Sequence, residues 1–328
     1  IGITGSTGKT TTKDLLAAML AGTPADDGGA RRVVATAQNL NTEIGLPLTI
    51  LAAPAGTDIL VLEMAMRGAG QIAELTAIAE PDVGVIVNVG PVHLERLGSL
   101  EAIAAAKAEL IAGLRPGAVA VVPAGERLLE PHLRDDVRTV TFGPGGDVAD
   151  LGDLQLSFTS AHMRYNALAA LAAARAVGVG PRGRVDVALS ALRGERIELP
   201  GPIVVVNDCY NANPMSMRAA LDDLAASAPG RRVAILGDML ELGPEEVRFH
   251  QEVGAHARAR RIDVLVTVGP LAERMADRFD AEAHAVADAG AAAALAATLL
   301  EPGDTVLVKA SRGIGLERVA EALQAATG

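Results

Sequence analysis

The run Ile3-Thr4-Gly5-Ser6-Thr7-Gly8-Lys9-Thr10 at the head of the chain constrains its fold more than any other feature. An apolar strand end, a glycine-containing turn with Lys then Thr, and an Ala/Leu-rich stretch over Thr10–Leu20 succeed one another directly. Such a turn lets backbone N–H groups wrap a phosphate, with a helix N-terminus aimed at the anion behind it. Lys9 would neutralise phosphate oxygens and the Thr10 hydroxyl would ligate Mg²⁺. Position 3 is Ile, so the strict eight-residue pattern is not met; the shorter Gly-x-x-Gly-Lys-Thr remains.

The segments beyond the loop fit the layered architecture it demands. Strands are expected over Asp58–Glu63, Val83–Val89 and Ala118–Val122, with helices over Thr10–Leu20, Gly70–Ile78, Leu100–Leu114 and Tyr165–Ala176. That alternation predicts an α/β fold with a mostly parallel sheet covered by helices. Phe142–Ser160 is Gly/Asp-rich, with a weak strand near Leu154–Phe158. A second alternating set has strands over Ile203–Asp208, Arg231–Asp238, Asp263–Gly269 and Thr305–Ser311. Its helices are expected over Ser216–Ala226, Glu245–Arg260, Gly290–Leu300 and Leu316–Ala325. This reads as a second, Rossmann-like doubly wound domain. A short helix over Val185–Leu192 is expected between the two, and the boundary is set near Gly194, giving domains 1–194 and 195–328.

Composition excludes several classes. A chain of 328 residues that is 50% hydrophobic and 21% charged can bury two sizeable cores and is not disordered. No uncharged apolar run reaches the length of a membrane span. A net charge of −11, no Trp, two Tyr and four Phe argue against nucleic-acid and anionic-membrane partners. The single Cys209 excludes an internal disulfide and suits a reducing cytoplasm. Of 29 Lys and Arg, only Lys9, Lys13, Lys107 and Lys309 are lysines. A lysine kept in so Arg-biased a chain points mildly to chemistry that needs a compact ammonium or a nucleophilic amine.

Other candidates lie after the apolar strands. Glu63 ends DILVLE, where parallel sheets bind ligands, and is either a second Mg²⁺ ligand or a solvent-facing acid. His93 comes after VGVIVNVGPV at the same sheet edge, although hard cations prefer oxygen. Lys107 sits in a helix just after the His93 loop and is otherwise a solvated lysine; Glu109, on another face, reads as an exposed acid. The segments Asn39–Pro47 and Asp208–Pro214 are either turn chemistry or holders of a polar ligand. Cys209 reads as a small buried residue. Lys309-Ala310-Ser311-Arg312-Gly313 suits a carboxylate or phosphate, or a plain surface turn.

These stretches together resemble one family, the Mur ligases. ITGSTGKTTTK could belong to any member; NLNTEIGLPLT, NDCYNANPMSMRAAL, AILGDMLELG and VLVKASRGIGLERV resemble the D-alanyl-D-alanine-adding branch. The resemblance implies an enzyme that joins a carboxylate to an amine through an acyl phosphate, using ATP and Mg²⁺. It implies a cytoplasmic monomer whose partners are small molecules, a UDP-linked muramoyl peptide and D-Ala-D-Ala. Gly5, Ser6, Thr7, Gly8, Lys9, Thr10 and Thr11 would hold the phosphates, and Thr10 with Glu63 one Mg²⁺. His93 and Lys107, the latter as a carbamate, would serve a second. Asn166, Arg196 and Asp208 would contact the nucleotide as the domains close. Asn41, Thr42 and Glu43, then Asn211, Asn213, Lys309, Ser311 and Arg312, would lie near the substrates.

Three departures from the family pattern stand out. Its N-terminal UDP-gripping domain is missing, and the chain begins inside the central domain. Phe142–Ala161 is short. Met163 comes after His162 where the family has Asn, and cannot supply an amide hydrogen bond. A Mur-type amide ligase for a carboxylate not linked to UDP is therefore an alternative, and a non-catalytic nucleotide-binding subunit is another.

Overall fold

The structure, a computed structural model, describes residues 1–25, 28–156, 158 and 160–326. The chain divides into two compact units, Ile1–Ser190 and Ala191–Gly328. In the first, strands β1 (Gly2–Thr4), β2 (Val33–Ala35), β3 (Ile59–Glu63), β4 (Val83–Ile86), β5 (Val119–Pro123) and β6 (Arg138–Phe142) form one sheet in the order β2-β3-β1-β4-β5-β6. Every pairing in it is parallel. The helices are α1 (Lys9–Ala21), α2 (Gly45–Ala52), α3 (Gln71–Ala79), α4 (Leu94–Leu97), α5 (Leu100–Ala112) and α6 (Ala161–Ala176).

The central strands are mostly apolar because both faces are covered, with Thr4 and Glu63 only at the carboxyl ends of β1 and β3. Val61 and Val85 pack with Leu15, Met19 and Leu171 from α1 and α6. Their neighbours Leu62 and Ile86 face the other way, against Ile72, Ile103 and Leu110 from α3 and α5. Successive strand residues point to opposite faces, so a doubly covered strand reads as a continuous hydrophobic run. On β4, a Cβ at Gly84 would lie 2.9 Å from Leu110 Cγ, so glycine there admits close approach of α5. A minor parallel pair, β7 (Leu154–Leu156) and β8 (Gly183–Val185), lies outside the main sheet. The expected strand near Leu154–Phe158 overlaps β7; its Ser157 falls outside the described residues.

The second unit has strands β9 (Glu195–Leu199), β10 (Ile203–Asn207), β11 (Arg232–Gly237), β12 (Val264–Val268), β13 (Glu282–Val286) and β14 (Thr305–Lys309), ordered β13-β12-β11-β14-β10-β9. All run parallel except β9, which pairs antiparallel with β10. Helices α7 (Pro214–Ser227), α8 (Glu246–Ala259), α9 (Ala289–Leu299) and α10 (Glu317–Ala325) cover it. Among the described residues no helix is long and apolar enough to cross a membrane.

The expected helix over Val185–Leu192 does not form. Val185 ends β8, Leu192 takes a left-handed φ of 61°, and its carbonyl accepts from Tyr210 N at 3.2 Å. A residue in the left-handed conformation interrupts a right-handed helix, and the Ser190 N–H is already given to Asp14 Oδ2 at 2.9 Å.

Candidate active site

Three adjacent parallel strands, β3, β1 and β4, end side by side, with Ile3 opposite Glu63 and Thr4 opposite Ile86. Their carboxyl ends are where open α/β sheets hold ligands. From β1 the chain enters the glycine loop. Gly8 has a φ of 75°, which glycine adopts without strain. A Cβ there would lie 2.4 Å from Asn166 Oδ1, so the loop and Asn166 on α6 are packed together. Helix α1 begins without a side-chain cap and without an acid in its first turn. Its first N–H groups therefore face the loop as an anion site. Lys9 Nζ donates to the Gly5 carbonyl at 2.9 Å, folded over its own loop.

Two residues absent from the sequence-derived set brace this loop. Asn88 Oδ1 accepts from Thr7 N at 2.9 Å, and its Nδ2 donates to Thr7 O and Oγ1 at 3.2 and 3.0 Å. Gly90 exchanges hydrogen bonds with the Ser6 hydroxyl at 3.0 and 2.8 Å. The signal was in the sequence: Asn88 interrupts the apolar run VIVNV just past β4.

Glu63 is 2% exposed. Its Oε1 accepts from Asn41 Nδ2 at 2.8 Å, and its N–H goes to Thr36 Oγ1 at 2.9 Å. Glu63 Oε2 is buried with no hydrogen-bond partner. A buried acceptor left so costs about 1–3 kcal/mol, which a cation at that oxygen would offset. Asn41 is thus turned onto Glu63, while its neighbours Thr42 and Glu43 are exposed. His93, half-buried, occupies a left-handed position (φ 56°) at the start of α4.

Lys107 is 1% exposed on α5. Burial, and then the charge of Lys9, hold its ammonium well below the ordinary lysine range. The side chain is therefore not a solvated helix lysine; it is a buried amine whose charged form is disfavoured, close enough to Lys9 to feel its charge. Glu109 is not a free surface acid either. Half-buried, it accepts from Gly70 N at 2.6 Å and Ala73 N at 3.0 Å, capping α3 from a neighbouring helix. Met163 is buried and carries no amide to the loop, while the buried Asn166 lies against Gly8.

In the second unit the strand-end residues are largely occupied with one another. Lys309 is 2% exposed and donates to Asp208 Oδ2 at 2.6 Å, to Asn211 O at 2.9 Å and to Asp208 O at 3.3 Å. Asn211 Oδ1 accepts from Ala212 N at 2.8 Å, and Asn213 forms a reciprocal capping box with Ser216 at the start of α7. Ser311 Oγ accepts from Leu240 N at 2.9 Å and donates to Ala212 O at 3.4 Å. Arg312 is 60% exposed, 3.7 Å from Glu317, and Arg196 is exposed on the edge strand β9. Burial drives the Cys209 thiol up to about 12, so it is no nucleophile at neutral pH. The buried His250 was not foreseen. Its Nε2 accepts from Met239 N at 2.9 Å and its Nδ1 donates to Glu246 O at 2.7 Å, fixing the loop after β11.

Comparison with known proteins decides the family. The Mur ligase middle domain matches residues 3–163, and the Mur ligase glutamate ligase domain matches residues 192–312. A Bacillus subtilis (strain 168) protein named UDP-N-acetylmuramoyl-tripeptide–D-alanyl-D-alanine ligase is 36% identical over 352 residues, covering 98% of this chain and 75% of that protein. The chain belongs to the Mur ligase family. Among solved structures, MurF from Acinetobacter baumannii superposes with a TM-score of 0.87 at 28% identity, covering 98% of this chain and 76% of the other. MurF from Thermotoga maritima in complex with ADP gives 0.86 at 33% identity, covering 99% and 79%. This Mur ligase carries its glycine loop, Glu63 and Lys107 inside the stretch matched by the middle domain.

Proposed function

We propose that this chain is an ATP-dependent amide ligase that joins D-alanyl-D-alanine to a UDP-N-acetylmuramoyl-tripeptide. The observation that carries the reading is the name of a relative aligned along 98% of the chain. The buried glycine-loop site, with Glu63 and Lys107 beside it, supports the chemistry. In that reaction a carboxylate oxygen of the peptide attacks the γ-phosphorus and ADP leaves. The dipeptide amine then attacks the acyl carbon and inorganic phosphate leaves, so ATP, acid and amine become ADP, phosphate and amide.

The residues divide that work. The glycine-loop N–H groups, the α1 N-terminus and Lys9 bind and orient the phosphates and counter their charge. Asn166, beside Gly8, lies against the nucleotide-binding loop. Arg196 and Asp208 are proposed for the nucleotide, and the exposed Arg312 for a substrate carboxylate. The unpartnered Glu63 Oε2 fits a hard divalent cation. Thr10 and Glu63 would hold one Mg²⁺, His93 and carbamylated Lys107 a second. Bound there, Mg²⁺ supplies positive charge to the transferring phosphoryl group. Among the described residues no cluster of three or more His, Cys, Asp and Glu exists, and a Mg²⁺ held partly by nucleotide phosphates needs none. Burial disfavours the charged form of Lys107, and a neutral amine is the form that takes up CO₂, losing a proton to become a carbamate; a guanidinium does not do this.

The test is release of ADP in the presence of a panel of carboxylates and amines, with product masses. The reading expects ADP release that requires both the UDP-linked tripeptide and D-Ala-D-Ala. Turnover with a carboxylate lacking UDP, and none with the UDP-peptide, would replace it with the alternative substrate class. ATP binding with no ADP release under any pairing would leave a nucleotide-binding protein.

A further inference from the structure

Of the four lysines, Lys13 has no part in the reaction just described, yet it is only 3% exposed. Its Nζ lies 2.8 Å from Asp14 Oδ1 and donates to the Thr36 carbonyl at 2.8 Å. Burying an ammonium costs several kcal/mol, and an apolar side chain commonly fills such a place at no loss of stability. The surroundings of Thr36 show what the ammonium achieves. Thr36 is 1% exposed, one residue past β2, and its N–H bonds Val61 O on β3 at 3.0 Å. Its hydroxyl accepts the Glu63 N–H at 2.9 Å. A continuous chain of polar contacts thus runs from α1, four residues beyond Lys9, through Thr36 to the backbone of Glu63. Asn41 holds the Glu63 carboxylate by Oε1, leaving Oε2 open.

We propose that Lys13 and Thr36 are positioning residues that fix the end of β3 so that Glu63 presents Oε2 to a divalent cation in register with the phosphate loop. This rests on the reading of Glu63 as a metal ligand. A compact ammonium fits the space between Asp14 and the Thr36 carbonyl; a planar guanidinium is larger and needs a fork of acceptors. That accounts for a lysine here in a chain that otherwise favours arginine.

The test measures metal binding rather than turnover. Mn²⁺ is titrated into the chain saturated with ADP and followed by electron paramagnetic resonance, and ADP binding without metal is measured by calorimetry in EDTA. Lys13→Met is expected to weaken Mn²⁺ about tenfold, the scale of residues that orient metal ligands, and to leave metal-free ADP affinity within about twofold. Lys13→Arg should not restore it. Thr36→Val should behave like Lys13→Met, and Thr36→Ser, which keeps the hydroxyl, like the parent. Combining Lys13→Met with Glu63→Gln should cost no more than Glu63→Gln alone. Unchanged Mn²⁺ affinity in Lys13→Met and Thr36→Val, with Glu63→Gln weakened, would overturn the positioning role. Unchanged affinity in Glu63→Gln itself would overturn the metal reading of Glu63. Equal losses with and without metal would mark Lys13 as a support of the phosphate loop only. Should Lys13→Met not fold, the Thr36 pair decides.

Discussion

Two lysines buried to the same degree, Lys107 in the first unit and Lys309 in the second, have opposite surroundings. Lys107 is beside the positive Lys9, and its ammonium form is disfavoured. Lys309 has a carboxylate at 2.6 Å and two carbonyls within 3.3 Å. One is a buried amine whose charged form is disfavoured; the other is a pin that ties the Asp208–Asn213 loop to the end of β14. Their strand ends differ in the same sense. In the first unit the carboxylate oxygen Glu63 Oε2 lacks a partner; in the second, Asp208, Asn211, Asn213 and Ser311 are engaged and the unpartnered atom at the end of β10 is the neutral amide oxygen Asn207 Oδ1. Burial of a polar residue at a sheet's ligand-binding edge is therefore not by itself a mark of chemistry. What separates the cases is whether the neighbourhood satisfies the group or leaves it poised.

Replacing each lysine puts this contrast under the greatest strain. Lys107→Arg should reduce ADP release about 10²–10³-fold, the scale of losing one charge-stabilising group. Lys107→Met should lose activity equally and melt no lower than the parent, because it removes a buried polar group. Retained turnover in Lys107→Arg would remove this residue from the chemistry. Short carboxylates should partly restore Lys107→Ala if a carbamate is the working form. Lys309→Met should do the reverse and destabilise the second unit by about 3 kcal/mol, the low end for breaking a buried pair, since Asp208 is 22% exposed. The chain has two tyrosines, Tyr165 and Tyr210, and no Trp. In a Tyr165→Phe background Tyr210 fluorescence reports the second unit alone. Adding Asp208→Asn should recover part of the loss.

A smaller effect tests the packing that holds Lys107 in place. Glu109→Ala removes the cap on α3 and should cost about 1 kcal/mol, measured by denaturant unfolding. A loss under 0.3 kcal/mol, roughly the spread of neutral surface changes, would show that α3 and α5 are held by their apolar contacts alone.

Legibility in the sequence tracks the division between covered and uncovered strands. Every interior strand of both main sheets announces itself, from VGVIV in β4 to TVLVK in β14, because two covered faces demand apolar residues throughout. All four edge strands, β2, β6, β9 and β13, passed unread. Arg138–Phe142 and Glu195–Leu199 alternate polar with apolar residues or carry charges, as uncovered edges do. At the site, residues of unusual type stood out in the sequence: Gly5, Gly8 and Lys9 lie just past β1, Glu63 ends the neighbouring β3, and Lys107 is buried on α5. The pairings of the braces were not legible: Asn88 interrupts an apolar run and Asn41 is among the sequence candidates, but they and Thr36 act through partners that lie 81, 22 and 27 residues away, and no local pattern encodes such pairings. Glu109 looked like a surface acid because its two partner N–H groups belong to a different helix.

The two units also differ in how acid should affect them, and His250 isolates that difference. Burial is the main cause of its lowered pKa; its bond to Glu246 O and the charges of Asp238 and Glu246 pull the other way. In the folded state Nε2 must stay unprotonated to accept from Met239 N. A base whose folded pKa lies below its unfolded value of about 6.5 binds its proton first in the unfolded chain. Its contribution is therefore full above about pH 6.5 and is lost as pH falls through the lower, folded value. Tyr210-detected stability of the Tyr165→Phe chain should fall below pH 6.5, and His250→Gln, which can accept and donate in the same place without titrating, should flatten that fall. An unchanged slope in His250→Gln would assign the acid sensitivity to groups of the second unit other than His250.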